Sequence, residues 1–234
     1  MKSVKDDRGY NQGWVDSKST RIRASRRCDY IISNMEPSAG KSVLEIGCGR
    51  GETSVMLAER TGMSVLGADL CVPFIERAKQ NNILSNLNFE VLDFNSPDSF
   101  LEKRFDYIVG NGILHHLYFN LETALKNMKN LLKADGKLIF MEPNLKNPYI
   151  YFIFSYKFFR KVANLEPTEM AFTKRFAKRK LEMAGFRNIQ VEYKDFLLPG
   201  VPDWTIDPSV RLGAFLEKTP LRMISQSLGI SAEK

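Results

Sequence analysis

Short apolar runs alternate with amphipathic stretches along most of the chain, starting near residue 41. The runs have the length and composition of buried strands, and the stretches between them repeat apolar residues at helical spacing. The strand-like runs are SVLEIG (42–47), SVLGADL (64–70), LNFEVLDF (87–94), FDYIVGN (105–111) and GKLIFMEP (136–143). The helix-like stretches are ETSVMLAERTG (52–62), VPFIERAKQNNILS (72–85) and NLETALKNMKNLLKADG (120–136). This alternation predicts a parallel sheet with right-handed crossovers.

Both ends of the chain depart from that alternation. A basic helix is expected from about Lys18 to Met35, and residues 186–196 and 224–234 predict an antiparallel pair of strands. We therefore expect an α/β fold with a Rossmann-like, doubly wound sheet of about seven strands, mostly parallel with an antiparallel last strand. The expected parts of this single domain, residues 1–234, are an N-terminal cap helix (1–40), a ligand-binding core (41–143), an aromatic helical insert or lid (144–172) and the C-terminal part of the sheet (173–234).

Composition narrows the class of protein without naming a function. The chain has 234 residues, 44% hydrophobic and 26% charged, which is ordinary for a globular protein with a sizeable core. Its net charge of +7 favours an anionic partner only weakly. Three cysteines without a C-x-x-C pair, and only two histidines, argue against a disulfide framework and a structural zinc site. With no secretory signal and no apolar run of spanning length, we expect a cytoplasmic protein that holds no metal.

The stretch VLEIGCGRG, residues 43–51, is the strongest candidate for a ligand-binding turn. The strand is expected to end at Ile46 and the next helix to begin near Glu52, with glycines at alternate positions between them. Glycine permits positive φ and lets a ligand approach the backbone. The N–H groups at the start of the helix favour a carboxylate or a phosphate.

The spacing of these glycines disfavours a dinucleotide. The dinucleotide fingerprint G-x-G-x-x-G fits Gly47 and Gly49 but requires a third glycine where this chain has Glu52. Glu45, just before the loop, would repel a pyrophosphate and suits a cationic amine. A ligand with an ammonium, a carboxylate and a sulfonium, S-adenosylmethionine, matches both charges.

VLEIGCGRG resembles motif I of the class I S-adenosylmethionine-dependent methyltransferases, E-x-G-x-G-x-G, and the likeness continues in order through LGADL, VLDF and DYIVGNGILHHL. The resemblance implies that Asp69 accepts the ribose hydroxyls and Asp93 the adenine amino group. It also implies that Phe94 and Leu70 pack on the adenine and that Asn111 lies near the methionine part. The implied cofactor-binding residues are Glu45, Gly47, Cys48, Gly49, Gly51, Asp69, Leu70, Asp93, Phe94 and Asn111.

Each of these positions also has a purely structural interpretation. The glycine loop could be a plain strand-to-helix turn, and Asp69 could cap the following helix. Asp93 and Phe94 could belong to a capped turn, because DFNSPDS is rich in turn-forming residues. Leu70 could be ordinary core.

His116, and with less support His115, are the candidate catalytic residues. They follow the fourth strand, where the small-molecule branch of the resembling family commonly carries a histidine. A histidine with an ordinary pKa near 6.5 could take a proton from a hydroxyl or a carbon acid as the methyl group arrives. The alternative is a histidine that only satisfies backbone groups at the start of a helix.

The aromatic insert and the N-terminal helix are the candidate walls of a substrate pocket. As a single helix, NPYIYFIFSYKFFRKV places Tyr149 and Phe152 on a broad apolar face with cations nearby, either as a roof over the pocket or as an interfacial helix on a membrane. Tyr10 and Trp14 could pack over the same pocket. One of the arginines of the N-terminal helix could meet an anionic group; these are Arg21, Arg23, Arg26 and Arg27.

The expected function is methyl transfer from S-adenosylmethionine to an oxygen or carbon of a small, partly apolar biosynthetic metabolite. GILHHL and LIFMEPN resemble the group that includes quinone, sterol and natural-product enzymes. Asn111 is not followed by the P-P-Y of adenine and amide N-methylation, and no separate RNA module is evident. An RNA methyltransferase, a non-catalytic S-adenosylmethionine-binding module and a nicotinamide-dependent oxidoreductase remain the alternatives.

Overall fold

The computed structural model describes residues 16–94 and 103–234, and within them one sheet organises the chain. The strands are β1 (Ser42–Ile46), β2 (Ser64–Asp69), β3 (Leu87–Val91), β4 (Phe105–Asn111), β5 (Leu132–Pro143), β6 (Arg187–Lys194) and β7 (Ser227–Glu233). They lie side by side in the order β3-β2-β1-β4-β5-β7-β6. The first five are mutually parallel, and β7 runs antiparallel to both β5 and β6. The predicted fold class is confirmed.

Helices cover both faces of this sheet. They are α1 (Lys18–Ser33), α2 (Glu52–Thr61), α3 (Val72–Asn81), α4 (Leu121–Leu131), α5 (Pro148–Ser155), α6 (Lys157–Val162), α7 (Lys174–Met183) and α8 (Asp203–Leu216), with 3-10 helices at Leu114–Asn120 and Pro220–Ile224. Among the described residues, none of these helices has both the length and the apolar content needed to cross a bilayer.

The central strands are buried on both faces because their side chains alternate between two cores. In β1, Val43 packs in the core with α1, α2 and α3, while its neighbour Leu44 packs in the core with α4 and α7. Val109 and Ile108 of β4 divide in the same way. A strand buried on both faces is apolar at nearly every position, which is why these strands appear in the sequence as continuous apolar runs.

The boundary between α4 and β5 differs from the sequence prediction. The helical pattern was expected to continue to Gly136, but α4 ends at Leu131 and Leu132 pairs with Phe105 of β4. Leu132 is fully buried, so its tertiary contact decides the boundary against the local helical pattern.

The aromatic insert forms two short helices and not the single helix predicted from its spacing. Tyr156 separates α5 from α6 with extended backbone angles, φ −110° and ψ 126°. The guanidinium of Arg160 donates hydrogen bonds to the carbonyl oxygen of Phe154 at 3.0 Å and to those of Glu166 and Glu169 at 2.7 and 3.0 Å. Arg160 thus satisfies a carbonyl at the end of α5 and fixes the loop after α6.

Candidate active site

A cavity of about 600 Å³ opens at the carboxyl ends of β1, β2 and β4. This is the edge at which parallel α/β sheets bind ligands. Side chains from α1 and the loop after α6 complete its wall. The residues from the predicted cofactor set that line it are Glu45, Gly47, Cys48, Gly49, Asp69, Leu70, Asp93, Phe94 and Asn111.

The three glycines of the loop have different surroundings, although all have positive φ. A Cβ on Gly47 would overlap the side chain of Ile113, so this position must lack one. Gly49 has nothing within 4 Å of the place where a Cβ would lie, so its backbone is open to the cavity. Gly51 caps α2 and does not line the cavity; a Cβ there would come within 2.5 Å of the ring of Phe89. The loop therefore combines close packing with an open ligand cradle.

Asp69 is held rigidly against the glycine loop. Its Oδ2 accepts a hydrogen bond from the backbone N–H of Gly49 at 2.8 Å, and its Oδ1 accepts one from Cys71 at 2.9 Å. These donors fix the plane of the carboxylate at the cavity wall. Leu70 and Phe94 line the same cavity, so an acid and two apolar side chains occur together there.

Glu45 is a buried acid at the base of the cavity. Only 2% of it is exposed, and the hydroxyl of Ser54 donates a hydrogen bond to its Oε2. Burial raises the pKa of this carboxyl to about 8. A cationic amine beside Glu45 would favour its ionised form.

Two arginines of α1 line the cavity, namely Arg23 and Arg27. Arg27 donates to the Asn111 Oδ1 and the Ser227 hydroxyl, both at 2.8 Å, and Arg23 donates to Gln226 at 3.2 Å. Burial, followed by the nearby charge of Arg27, lowers the pKa of Arg23 to about 10, which still leaves it charged at neutral pH. The Nε atoms of Arg23 and Arg27 also lie 3.6 and 3.5 Å from Oδ2 of the buried Asp195, so two cations share one carboxylate and an excess of positive charge is left beside the cavity.

His116 lines the cavity and is held by two carboxylates. Its Nδ1 lies 2.8 Å from Oε1 of Glu169 and 3.5 Å from Oε1 of Glu166. Burial lowers the pKa of His116, but the hydrogen bonds to Glu166 and Glu169 outweigh it, and the pKa rises to about 9. The protonated ring is therefore the main form at neutral pH.

His115 occupies a buried position behind His116 and does not line the cavity. Its Nδ1 lies 2.8 Å from Oε2 of Glu142. Glu142 also accepts the backbone N–H groups of Ile113, Leu114 and His115 at 2.9, 2.7 and 3.2 Å. Glu142 thereby holds the turn that carries His116 to the cavity wall, with the ring of His115 packed behind that turn.

A methyltransferase domain model matches residues 37–185, about two-thirds of the chain. The chain belongs to this methyltransferase family. Its predicted assignment to the class I S-adenosylmethionine-dependent methyltransferases, and the predicted cofactor, are thereby confirmed. The nicotinamide alternative is set aside.

Two curated relatives and one solved structure illustrate the likeness of this methyltransferase. It is 34% identical over 125 residues to a ubiquinone biosynthesis O-methyltransferase of Actinobacillus pleuropneumoniae, covering 50% of this chain and 52% of that protein. It is 30% identical over 118 residues to aklanonic acid methyltransferase of Streptomyces sp. strain C5, covering 48% and 53%. The chain thus spans about half the length of these relatives. A methyltransferase structure from Archaeoglobus fulgidus superposes with a TM-score of 0.62 at 22% identity, covering 92% of each chain.

None of the four pocket residues predicted from the aromatic segments is among the described residues that line the cavity. Tyr10 and Trp14 lie outside the described residues. Tyr149 and Phe152 are about half exposed, at 50% and 49%, and do not line the cavity of this methyltransferase. The buried residue of α5 is Phe154, whereas the positions of Tyr149 and Phe152 on the same helix are turned to solvent.

Sequence reasoning missed the three carboxylates that surround the histidines. Glu142 ends β5 in LIFMEP, and Glu166 and Glu169 form an E-x-x-E pair in the loop after α6. An acid at the end of a strand, and two acids in an otherwise basic insert, are the signals that could have indicated them.

The same cluster is the one place in the described chain where a metal could be considered. Ligand atoms of His115, His116 and Glu169 lie within 4.8 Å of one another. Each ring already has a carboxylate partner at 2.8 Å, so the hydrogen bonds account for the cluster without an ion.

Proposed function

We propose that this protein transfers the methyl group of S-adenosylmethionine to an oxygen or carbon atom of a small, partly apolar metabolite. The single observation that carries the proposal is the shared cavity, in which the glycine loop and Asp69 form one wall and His116 another. The names of the two curated relatives, a ubiquinone biosynthesis O-methyltransferase and an aklanonic acid methyltransferase, support a small-molecule acceptor.

The residues on the glycine-loop side fit the cofactor. Gly49 leaves its backbone open to the cavity, and Asp69 and Glu45 line the same cavity. We assign Asp69 to the ribose hydroxyls and Glu45 to the ammonium group. Arg23 and Arg27 supply positive charge for the methionine carboxylate or for an anionic group of the acceptor. When bound, S-adenosylmethionine supplies an electrophilic methyl group whose sulfonium leaves as a neutral thioether.

The chain contributes mainly orientation and, for an acidic acceptor, a base. Holding two reactants in line can contribute about 7–11 kcal/mol to lowering the barrier. His116 in its neutral form can take the acceptor proton on Nε2, because Nδ1 faces Glu169. Glu169 and Glu166 then stabilise the imidazolium that forms, in the manner of a carboxylate behind a catalytic histidine.

Isotope transfer tests the proposal directly. The protein is incubated with methyl-deuterated S-adenosylmethionine and, separately, with a metabolite extract and with total RNA, beside a Gly49→Ala control. We expect the label in one or more small molecules, on oxygen or carbon, and none with the control. Label found only in RNA would replace the proposed acceptor class by RNA, and no transfer in either fraction despite cofactor binding would favour a non-catalytic module.

A cytoplasmic location remains our prediction for this enzyme. The chain's three cysteines, Cys28, Cys48 and Cys71, are all free and buried, which supports a reducing compartment. Labelling with a thiol reagent before and after reduction of protein isolated from its host should give the same number of free thiols.

A further inference from the structure

The segment α5–α6 presents an unusual surface of aromatic side chains, here called the aromatic surface. Phe158 and Val162 are 72% and 71% exposed, and five more rings are between 42% and 50% exposed. These five are Tyr149, Tyr151, Phe152, Tyr156 and Phe159. Exposed apolar side chains in one contiguous group indicate a binding site and not a chance distribution.

The two helices pack chiefly against each other. Phe154 is the buried residue of α5, and α6 has none. The ring of Phe152 stacks on Tyr156 with centroids 5.6 Å apart and meets Phe159 at 6.3 Å. The aromatic surface is thus a preformed layer of rings whose outer side faces solvent.

The charge of this segment has one sign. No acidic residue occurs from Asn144 to Leu165, whereas Lys146, Lys157, Arg160 and Lys161 are basic. Arg160 is engaged with backbone carbonyls, but the three lysines are exposed. Aromatic side chains bordered by exposed lysines, without acids, match the boundary between headgroups and acyl chains of an anionic bilayer.

A second copy of the chain fits the same surface poorly. In a two-fold contact formed by this segment, the lysines of each copy would meet a surface that offers no carboxylate to neutralise them. Lysine is also depleted in protein–protein interfaces, whereas it is common beside anionic lipid.

The aromatic surface is connected to the cavity. Phe154 packs edge-on against His115, with ring centroids 5.9 Å apart. Arg160 of α6 holds the loop that carries Glu166 and Thr168, which line the cavity. Contact at the aromatic surface would therefore place the cavity close to the bilayer.

We propose that the aromatic surface docks this protein on the face of an anionic lipid bilayer, with its rings in the interface and Lys157 and Lys161 at the headgroups. The docking does not depend on methyl transfer. It places the cavity where an acceptor dissolved in the lipid, or exposed at its surface, could enter.

Flotation with defined vesicles tests the docking. The full chain is mixed with vesicles of phosphatidylglycerol and phosphatidylcholine, or of phosphatidylcholine alone, at low and high salt. We expect flotation with the anionic vesicles, reduced by salt because the lysine contribution is screened. The absence of flotation with anionic vesicles would overturn the proposal.

Two double variants separate the apolar and charged parts. Phe158→Ser with Val162→Ser and Lys157→Glu with Lys161→Glu should each bind anionic vesicles about tenfold more weakly. The matched controls are Ile83→Ser, which is 93% exposed elsewhere, and the exposed Lys79→Glu, and both should float like the parent. Binding of S-adenosylhomocysteine, measured by calorimetry, should be equal in all of them and so verifies folding.

The same variants also test whether a second copy of the chain, and not a bilayer, covers the aromatic surface. If the parent dimerises by light scattering, the Phe158 and Val162 double variant is monomeric, and vesicles bind neither, the aromatic surface is a contact between copies and the proposal is wrong. Equal flotation of the parent and both double variants would also overturn it. If the double variants no longer float but transfer methyl groups to a dispersed acceptor as fast as the parent does, the aromatic surface serves docking and not the transfer reaction.

Discussion

The Nδ1 atom of His116 lies 2.8 Å from Oε1 of Glu169, and this pair joins the turn after β4 to the loop after α6. The contact orients the other ring nitrogen of a cavity-lining histidine and supplies a carboxylate for its charged form. The same contact connects the aromatic insert to the candidate catalytic histidine, because Arg160 of α6 donates a hydrogen bond to the backbone carbonyl of Glu169.

Replacing His116 by Gln should lower turnover and leave cofactor binding intact. General-base catalysis typically contributes about 10²–10⁴-fold, so we expect a loss in that range once an acceptor is known. Steady-state kinetics at saturating substrates measure the loss, and calorimetry with S-adenosylhomocysteine supplies the control. Unchanged turnover would show that the acceptor needs no base.

Glu169→Gln should shift the pH dependence of catalysis. The carboxylates raise the pKa of His116 to about 9, so kcat/KM should rise with pH up to that value as the neutral base forms. The groups that face His116 are Glu166, Glu169 and His115. Removing the charge of Glu169 should lower the pH at which kcat/KM rises, toward the ordinary histidine pKa of 6.5. Oε1 of Glu166 lies farther from the His116 Nδ1, at 3.5 Å, so Glu166→Gln should shift the pH profile less. Glu122→Gln, at an exposed position, should not shift it.

The same linkage predicts a stability change of defined sign. A histidine whose folded pKa is raised contributes stability that is fully present below its unfolded pKa and lost as pH rises through about 9. The free energy of unfolding in urea should therefore fall between about pH 6.5 and 9 in the parent and fall less in Glu169→Gln. Parallel curves for the two proteins would contradict the assigned cause.

Glu45 should couple cofactor binding to proton release. Burial raises its pKa to about 8, so below that pH the carboxyl is protonated and a cationic amine must displace the proton. Affinity for S-adenosylmethionine should rise with pH up to about 8. Calorimetry in buffers of different ionisation enthalpy would detect the released proton.

A Glu45→Gln variant gives the complementary test. We expect an affinity loss of about 10–100-fold, because a charged hydrogen bond is removed, and the pH dependence should flatten. Glu59→Gln, exposed on α2, is the matched control. A variant that keeps the parent's pH dependence would place the titrating group elsewhere.

Gly49→Ala and Gly40→Ala should have similar stability and different affinity. Both positions have positive φ and nothing within 4 Å of a new Cβ, so each should lose about 1 kcal/mol through backbone strain alone. Only Gly49 lines the cavity, so only its variant should lose cofactor binding. Gly47→Ala should unfold at a lower temperature than either, because its Cβ overlaps Ile113. Equal cofactor affinity in Gly49→Ala and Gly40→Ala would contradict the proposal that the cofactor lies against the backbone of Gly49.

Chelation should leave the activity unchanged. His115 and His116 each have a carboxylate partner at 2.8 Å, and methyl transfer from a sulfonium needs no metal to activate the leaving group. Assays with and without EDTA, followed by addition of magnesium or zinc, provide the measurement. Loss on chelation and recovery with a metal would identify the cluster as a metal centre.

The sequence alone determined the parts of this protein whose signals are local. Strands buried on both faces must be apolar at successive positions, and the turn after β1 needs glycines where Cβ atoms would meet Ile113 or block a ligand. The mostly parallel sheet and the edge at which the cavity opens followed from these patterns, and the resemblance of the glycine loop to motif I implied the family. Asp69 could be assigned to the same wall because the ends of neighbouring parallel strands must meet.

Only the tertiary structure decided which distant side chains share the cavity. It selected Arg23 and Arg27 from four similar arginines, and it brought Glu166 and Glu169 to His116. It also showed that the aromatic segment forms two helices separated at Tyr156 and not one. Such contacts depend on how separate elements pack, and a periodic pattern encodes only which face of an element is buried and not what lies opposite it.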